Sequence, residues 1–584
     1  MKRLIKPWSF GGSQGWFRLP AETGVRLLDV IIFSFGLAVF YGVLAITGKW
    51  LGPLTPEVEI SRSPWVLPTY AGYSLFRIAV AYVFSLIFTL VYGYIAANNT
   101  KAERFMIPLL DVLQSIPVLS FLPGVMLAMM ALFPAHQIGL ECGSILLIFT
   151  GQVWNMAFSF YASLKGIPRE MREAARIYRF SWWQRFSRVE LPSAAIGLVW
   201  NSMMSVAGGW FFLMACEMFV LGKRDFRLPG LGSYLQTAAS AGDTQAILWG
   251  VTAMIAVIVL LDQLVWRPVI AWAEKFKVEQ VEGSNQPKSW FLNIMRKSPI
   301  LTWLSRRLAN PARESLTQHF ARLHESDLGS GDARPWRAWG MRVLWAFVFA
   351  IVGYGFARFA ITLSGLERQE VRQLLVGTGA TFLRVNATLL LGALWTIPAG
   401  VAIGFHPRLA RVMQPLVQIA ASVPATALFP VILVLLIGIG GGMGIGSIAL
   451  LLLGTQWYIL FNVIAGAMAI PTDLKEATAV LGIKGLARWR KLILPGIFPY
   501  LVTGLVTASG GAWNASIVAE YFHFRGQTIF TVGLGSIISQ ATDAGNLDLL
   551  LAATVVMAGI VVLINRLLWR RLYRLAELRF SLET

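Results

Sequence analysis

Stretches of about twenty apolar residues recur along the whole chain, and they constrain its fold more than any motif does. A helix crosses a hydrocarbon core of about 30 Å with roughly 20 such residues. About twelve segments qualify, near 28–48, 74–97, 108–133, 143–164, 193–216, 247–267, 341–362, 383–405, 415–437, 444–468, 496–519 and 549–569. Inside a bilayer every backbone polar group must find a partner within the protein, so segments of this kind fold as helices. Only 14% of the 584 residues are charged, against about 25% in an ordinary soluble domain. A soluble globular protein, a disordered chain and a coiled coil are excluded. The expected fold is an all-α polytopic membrane protein of about twelve transmembrane helices. Segments three and nine stand apart, because Pro117, Pro123, Pro424 and Pro430 interrupt them.

The net charge of +20 would suggest nucleic acid in a soluble protein. In a membrane protein it is read by position, because Lys and Arg concentrate in cytoplasmic loops. With the N-terminus inside, most of the 50 Lys and Arg residues fall on inward segments. Both termini are therefore expected in the cytoplasm, and no nucleic-acid partner is implied. Lys2, Arg3, Lys6, Arg18 and Arg26 precede the first span, which is too long for a removable signal peptide and is read as an anchor.

The chain is also duplicated. From Lys165 onward, adding 303 to a position finds its twin: Pro168 meets Pro471, Leu191-Pro192 meets Leu494-Pro495, and Gly230-Leu231-Gly232 meets Gly533-Leu534-Gly535. Upstream the offset is 307, pairing Arg77 with Arg384 and Ser115-Ile116-Pro117 with Ser422-Val423-Pro424. The first copy thus carries four extra residues between Pro123 and Trp154. Six spans per copy make the repeats parallel, and their axis is the natural place for a solute path. The reading gives an N-terminal tail (1–27), a first six-span unit (28–272), a cytoplasmic linker (273–340), a second six-span unit (341–575) and a short tail (576–584). Within the linker, Trp290, Phe291, Ile294, Met295, Leu301, Trp303 and Leu304 are spaced like the apolar face of a helix lying on lipid.

The loops after spans four and ten carry the strongest signal. One runs from Glu173-Ala174-Ala175 through Arg179 to Leu191-Pro192, the other from Glu476-Ala477-Thr478 through Gly482 to Leu494-Pro495. Each reads as a short helix, a turn, and a second amphipathic run ending at a proline that suits the first turn of a membrane helix. This pattern resembles the coupling loop, or EAA motif, of the inner-membrane permeases of binding-protein-dependent ABC importers. Glutamate and proline are 19 residues apart in both copies. The text around Leu75-Phe76-Arg77, the Ser-Ile/Val-Pro element, the Gly-Gly beside Trp210 and Trp513, Glu217 and Glu520, and the Gly-Leu-Gly narrow the likeness to the nitrate/sulfonate/taurine-type permeases. Arg179 departs from it by replacing the motif glycine, and Thr478 by replacing the second alanine.

The resemblance implies a type I ABC importer permease fold, with two permease units fused in one chain. It implies that two cytoplasmic ABC ATPase subunits grip the loops and that an extracytoplasmic solute-binding protein delivers a small anion resembling nitrate, sulfonate, taurine or bicarbonate. ATP and magnesium would be used by the partner ATPase, with no cofactor bound by this chain, and the location implied is the bacterial inner membrane. A left-handed turn costs a non-glycine residue about 1 kcal/mol or more, so the Arg179 loop should turn differently or bear strain, and the two loops are expected to couple unequally.

Other motifs point nowhere. Gly42 to Lys49 has the wrong spacing for a phosphate loop, Gly444-Ile-Gly-Ser-Ile-Ala449 lacks the strand and distal acid of a dinucleotide site, and the five histidines form no metal-spaced set. Charged residues near the membrane are functional hypotheses by default. Arg77 and Arg384 sit near outer helix ends, either snorkelling to the lipid interface or drawing an anion to an outer mouth. Glu217 and Glu520 either hold helices together or contact the binding protein. Trp210 and Trp513 line the path or pack in the core, with packing favoured, and Glu141 and Asp262 are read as local interactions. The competing class is an ion-coupled secondary transporter, which leaves the duplicated loop unexplained.

Overall fold

The computed structural model describes residues 58–296 apart from 135, 222–223 and 277–288, and residues 364–579 apart from 439–441 and 525–526, with isolated helical residues between. The expected span near 28–48 lies outside the described residues, and the one near 341–362 almost entirely so.

The first copy runs α1 (Leu67–Asn98), α2 (Thr100–Ser115), α3 (Leu122–Leu132), α4 (Ile138–Lys165), α5 (Arg169–Ile177), α6 (Trp182–Cys216), a hairpin of β1 (Met218–Leu221) and β2 (Arg224–Arg227), α7 (Leu231–Ala241) and α8 (Thr244–Ala273). A short helix, α9 (Trp290–Arg296), is the first part of the helix expected in the linker. The second copy repeats the order with α10 (Arg368–Phe405), α11 (Pro407–Ser422), α12 (Ala425–Gly438), α13 (Met443–Ala469), α14 (Thr472–Val480), α15 (Gly485–Ala519), β3 (Tyr521–Phe524), β4 (Gln527–Phe530), α16 (Leu534–Ala544) and α17 (Leu547–Ala576). Among the described residues eight helices are long and apolar enough to cross a membrane: α1, α4, α6 and α8, and their twins α10, α13, α15 and α17. The architecture is the expected polytopic helical repeat, with one antiparallel hairpin added to each copy. Met218 pairs with Arg227 in the first and Tyr521 with Phe530 in the second.

The segments near 108–133 and 415–437 are not continuous spans. Ile116 (φ −79°, ψ 124°) and Val423 (φ −75°, ψ 119°) are extended, because a following proline disfavours helical backbone at the residue before it. In each copy the expected span is a kinked pair, an amphipathic helix (α2, α11) followed by a short apolar one (α3, α12). The freed backbone groups at the first break are taken up by the other copy. The Val118 amide donates to Asn514 Oδ1 of α15 at 2.5 Å, and the Ser120 carbonyl accepts from Thr554 Oγ1 of α17 at 3.0 Å. The hairpins also cross over: β1 packs against α16 of the second copy, and β3 against α7 of the first.

The core is held by tight helix contacts within each copy, α1 against α4 and α4 against α6, and likewise α10, α13 and α15. Trp210 and Trp513, each 1% exposed, lie inside it. Replacing Asn514 by leucine would strand the Val118 amide, and a stranded buried donor costs about 1–3 kcal/mol. The expected result is faster amide exchange at Val118–Phe121 in Asn514→Leu than in the unaltered chain; unchanged protection there would contradict this role for the bond.

Candidate functional site: the coupling loops and the axial cavity

The two loops singled out by sequence fold alike. In the first, α5 ends with Tyr178 N–H bonded to the Ala174 carbonyl (2.9 Å), Arg179 N–H to Arg176 (3.0 Å) and Phe180 N–H to Ala175 (3.0 Å). In the second, Leu481 bonds to Ala477 (2.9 Å), Gly482 to Ala479 (3.1 Å) and Ile483 to Thr478 (3.0 Å). Both are glycine-type helix stops, in which one left-handed residue lets the chain turn back and satisfy the last carbonyls. Gly482 supplies that residue at φ 65°, while Arg179 adopts φ 49°, making it the positive-φ non-glycine among the described residues. Of the two outcomes expected for the first loop, the structure shows the second: the turn is kept and the strain is borne.

The face each loop presents is charged and apolar at once. Glu173, Arg179 and Glu476 are exposed. Beside them Ile177 (78% exposed) and Tyr178 (74%) match Val480 (86%) and Leu481 (72%) at twin positions. Ala175 is buried, whereas Ala477 is exposed and Thr478 half-buried, returning its hydroxyl to the Lys475 carbonyl at 2.9 Å. After the turn the chain enters α6 and α15, each of which runs through a five-residue π turn (Phe186–Glu190, Trp489–Ile493) directly into Leu191-Pro192 or Leu494-Pro495. A cation then ties each loop to the end of a membrane helix. Arg185 donates to Tyr94 Oη (2.8 Å) and Asn98 Oδ1 (3.3 Å) at the end of α1. In the second copy Lys475 and Arg488 lie over the Phe405 ring at the end of α10, 4.8 and 5.3 Å from its centre.

Arg77 and Arg384 take up neither snorkelling nor display at an open mouth, and Glu217 and Glu520, of their two readings, hold helices together. Arg77, 1% exposed, forks onto Glu141 (Nε to Oε2 2.6 Å, Nη2 to Oε1 2.8 Å) and sends Nη1 to Glu217 Oε1 (2.8 Å) and the Pro229 carbonyl (2.9 Å). Glu217, fully buried, also accepts from Ser74 Oγ (2.6 Å) and from the Gly232 amide at the start of α7 (2.6 Å). The twin cluster joins Arg384 and Thr381 to Glu520, which accepts from the Gly535 amide at 2.8 Å. There Gly444 occupies the place of Glu141, and the second guanidinium arm goes to Thr531 Oγ1 (3.3 Å) and the Val532 carbonyl (3.1 Å). A carboxylate at a helix N-terminus meets free amides and the positive end of the dipole. The first glycine of each Gly-Leu-Gly is required by closeness: a Cβ on Gly230 or Gly533 would lie 2.2 or 2.1 Å from the carboxylate oxygens. Asp262 pairs locally with Arg267 at 3.0 Å, as expected.

Between the copies lies a cavity of about 130 Å³ that no single motif announced. Its walls come in twins from α4 and α13 (Gly151 and Gly454, Asn155 and Tyr458) and from α6 and α15 (Gly208 and Gly511, Phe211 and Asn514), and the broken element Val423-Pro424-Ala425 closes one side. It therefore sits on the axis of the repeat. The usable signal in the sequence was the presence of polar residues such as Asn155 and Asn514 inside long, mainly apolar spans.

Two duplicated helical units, meeting at a cavity and carrying matched loops on one end, define a polytopic membrane transport component. The chain belongs to the family described as binding-protein-dependent transport system inner membrane component, whose pattern matches it twice, over residues 89–265 and 396–581. It is 29% identical over 196 residues to the taurine transport system permease TauC of Escherichia coli, covering 33% of this chain and 68% of the relative. It is 27% identical over 188 residues to the nitrate import permease NrtB of Leptolyngbya laminosa, covering 32% and 64%. A third relative, the putative ABC transporter permease MJ0413 of Methanocaldococcus jannaschii, is 28% identical over 184 residues, covering 31% of this chain and 65% of that protein.

Two outcomes follow from this geometry. Removing one partner of a buried ion pair leaves an uncompensated charge and costs about 3–5 kcal/mol, so Glu217→Ala and Glu520→Ala are each expected to lower the thermal midpoint of the detergent-solubilised chain markedly. An unshifted midpoint would return these glutamates to a surface role. Arg179→Gly should keep the turn and relieve about 1 kcal/mol of strain, less the chain entropy glycine adds. Slower amide exchange at 178–180 is the expected reading, and faster exchange would contradict it.

Proposed function

We propose that this chain is the fused permease pair of an ABC importer, forming the solute path between its two units and coupling it to ATP hydrolysis by separate ATPase subunits. The observation that carries this reading is the twinned loop. Two helices of the same length end in the same turn, and each presents a glutamate beside two exposed apolar side chains. Exposed apolar groups in a fixed, duplicated arrangement mark a docking surface for a partner, and two such surfaces fit two copies of one partner. Arg185, Lys475 and Arg488 then carry a push on either loop into the ends of α1 and α10.

On this reading the partners are two cytoplasmic ABC ATPase subunits, which supply ATP and magnesium chemistry, an extracytoplasmic solute-binding protein and the surrounding lipid. One copy of the chain serves each transporter. The chain lies in a bacterial inner membrane with both termini cytoplasmic, in five parts: tail 1–27, units 28–272 and 341–575, linker 273–340 and tail 576–584. The names of the relatives, which include nitrate and taurine systems, favour a small anion as solute.

The test is reconstitution. The purified chain alone is expected to hydrolyse no ATP; with its ATPase subunits and binding protein in vesicles it should take up solute only when ATP is supplied. Uptake driven by an ion gradient without ATP would instead support a secondary transporter. The intact complex should have a mass corresponding to one permease chain and two ATPase subunits, and two permease chains around one pore would contradict the fusion.

A further inference from the structure

α4 and its twin α13 hold the same place in the two copies, yet they are fastened differently. α4 is tied at both ends. In its first turn Glu141 takes the Arg77 fork from α1. Near its last turn Tyr161 Oη donates to Glu103 Oε1 of α2 (2.5 Å), and Lys165 Nζ donates to Glu103 Oε2 (2.7 Å). A further bond, Asn201 Nδ2 to Ser159 Oγ at 3.0 Å, joins α4 to α6. Hydrogen bonds are directional, and those to ionised groups are the strong ones.

The second copy lacks these partners at the twin positions. Gly444 stands for Glu141, Ala410 for Glu103, Ile464 for Tyr161 and Met468 for Lys165. Arg384 spends its guanidinium on Glu520, Thr531 and Val532, none of them on α13. Gly504 replaces Asn201, and Asn462, at the place of Ser159, turns back to the Tyr458 carbonyl of its own helix (2.8 Å). Where Glu103 draws α2 to α4, the twin helices α11 and α13 meet through an apolar cluster of Ala410, Leu460 and Ile464 with Ile403 of α10. Apolar burial is non-directional, so such a contact slides where a charged bond has to break. A directed tie of α13 lies at its middle instead: Trp395 Nε1 of α10 donates to Gln456 Oε1 at 3.1 Å. Phe88 and Val153 occupy those places in the first copy.

A helix pinned at both ends cannot tilt without breaking a charged bond, whereas one pinned at its middle can rock about that point. α13 is also the larger wall of the axial cavity, with Leu453, Gly454, Trp457, Tyr458 and Phe461 against Gly151 and Asn155 of α4. Two residues separate its end from α14 of the second coupling loop. We propose that the two copies move unequally: α1, α2, α4 and α6 of the first form one block, and α13 of the second rocks about its Trp395–Gln456 bond. A push on the second loop then reshapes the cavity from one side, against a wall that keeps still. Two copies of one permease would carry the same restraints, whereas fusion lets one half serve as the frame. The part this motion plays in transport rests on the proposed permease reading; the difference in restraint does not.

The experiment measures spin-label distances in the full chain in nanodiscs, in a Cys142→Ser background, since Cys216 is buried. The labels occupy two twin pairs of exposed positions, Ile95 with Ala162 and Ala402 with Ala465. In the chain alone the second pair should give the broader distribution. Adding ATPase subunits with ATP and trapping them with vanadate should shift its mean by about 1–2 Å or more, the scale of helix shifts in switching proteins, and leave the first pair in place. Glu103→Ala, which removes a tie at the protein surface and not in the core, should broaden the first pair towards the width of the second. Trp395→Phe should broaden the second pair further. Equal widths in the unaltered pairs, a first pair that shifts as far as the second, or a first pair untouched by Glu103→Ala would overturn the proposal. The widths are read without any partner, so a chain whose labels ignore the ATPase subunits would count against the permease reading and not against the difference in restraint.

Discussion

Two carboxylates buried at helix starts, each held by an arginine from another span, are what the rest of the molecule leans on. Glu217 and Glu520 sit where three elements converge: the membrane helix bearing the arginine, the helix that ends at the glutamate, and the short helix whose first amides point at it. An ionised pair in such surroundings is stable only when nearly every donor and acceptor is matched. Ser74 and Thr381 complete the match by bonding both the carboxylate and the amide of the following helix, at 2.9 Å for Leu231 and 2.8 Å for Leu534. The position of the hairpin, and with it the crossing contact to the other copy, follows from that anchor.

Much of this was legible in the chain. The length of the apolar stretches pointed to the helical class, the offsets of 303 and 307 exposed the duplication, and prolines 117 and 424 marked the spans that break. The coupling loops could be placed because their turn chemistry is local. What escaped was what depends on distance. Arg77 and Glu217 are 140 residues apart, and nothing in either neighbourhood says that they meet; read alone, Arg77 looked like a group for the lipid interface or an outer mouth, and Glu217 like a helix tie or a contact for the binding protein. Glu141 has no twin, so the repeat could not reveal that it takes the second half of the Arg77 fork. The hairpins were passed over because their four-residue strands lie between long apolar runs. The cavity was hard to read from the chain because its walls come from four long helices and the broken element near Pro424, and small residues such as Gly151 and Gly454 carry no chemistry of their own.

The two copies also show what fusion permits. Where the same task must be done twice, the backbone is kept even when the residue changes: Arg179 holds the turn that Gly482 holds without strain. Where the copies meet, the residues diverge, as at Asn155 and Tyr458 or Phe211 and Asn514. Backbone symmetry and side-chain asymmetry are thus divided between the periphery and the axis.

The crossed hairpins have a mechanical meaning. Each arm springs from one copy and rests on the short helix of the other, so the copies overlap reciprocally at that end. Drawing the copies apart at that end breaks both contacts, since each copy supplies one arm and one rest. A displacement of either hairpin is therefore felt by the short helix of the opposite copy as well as by its own.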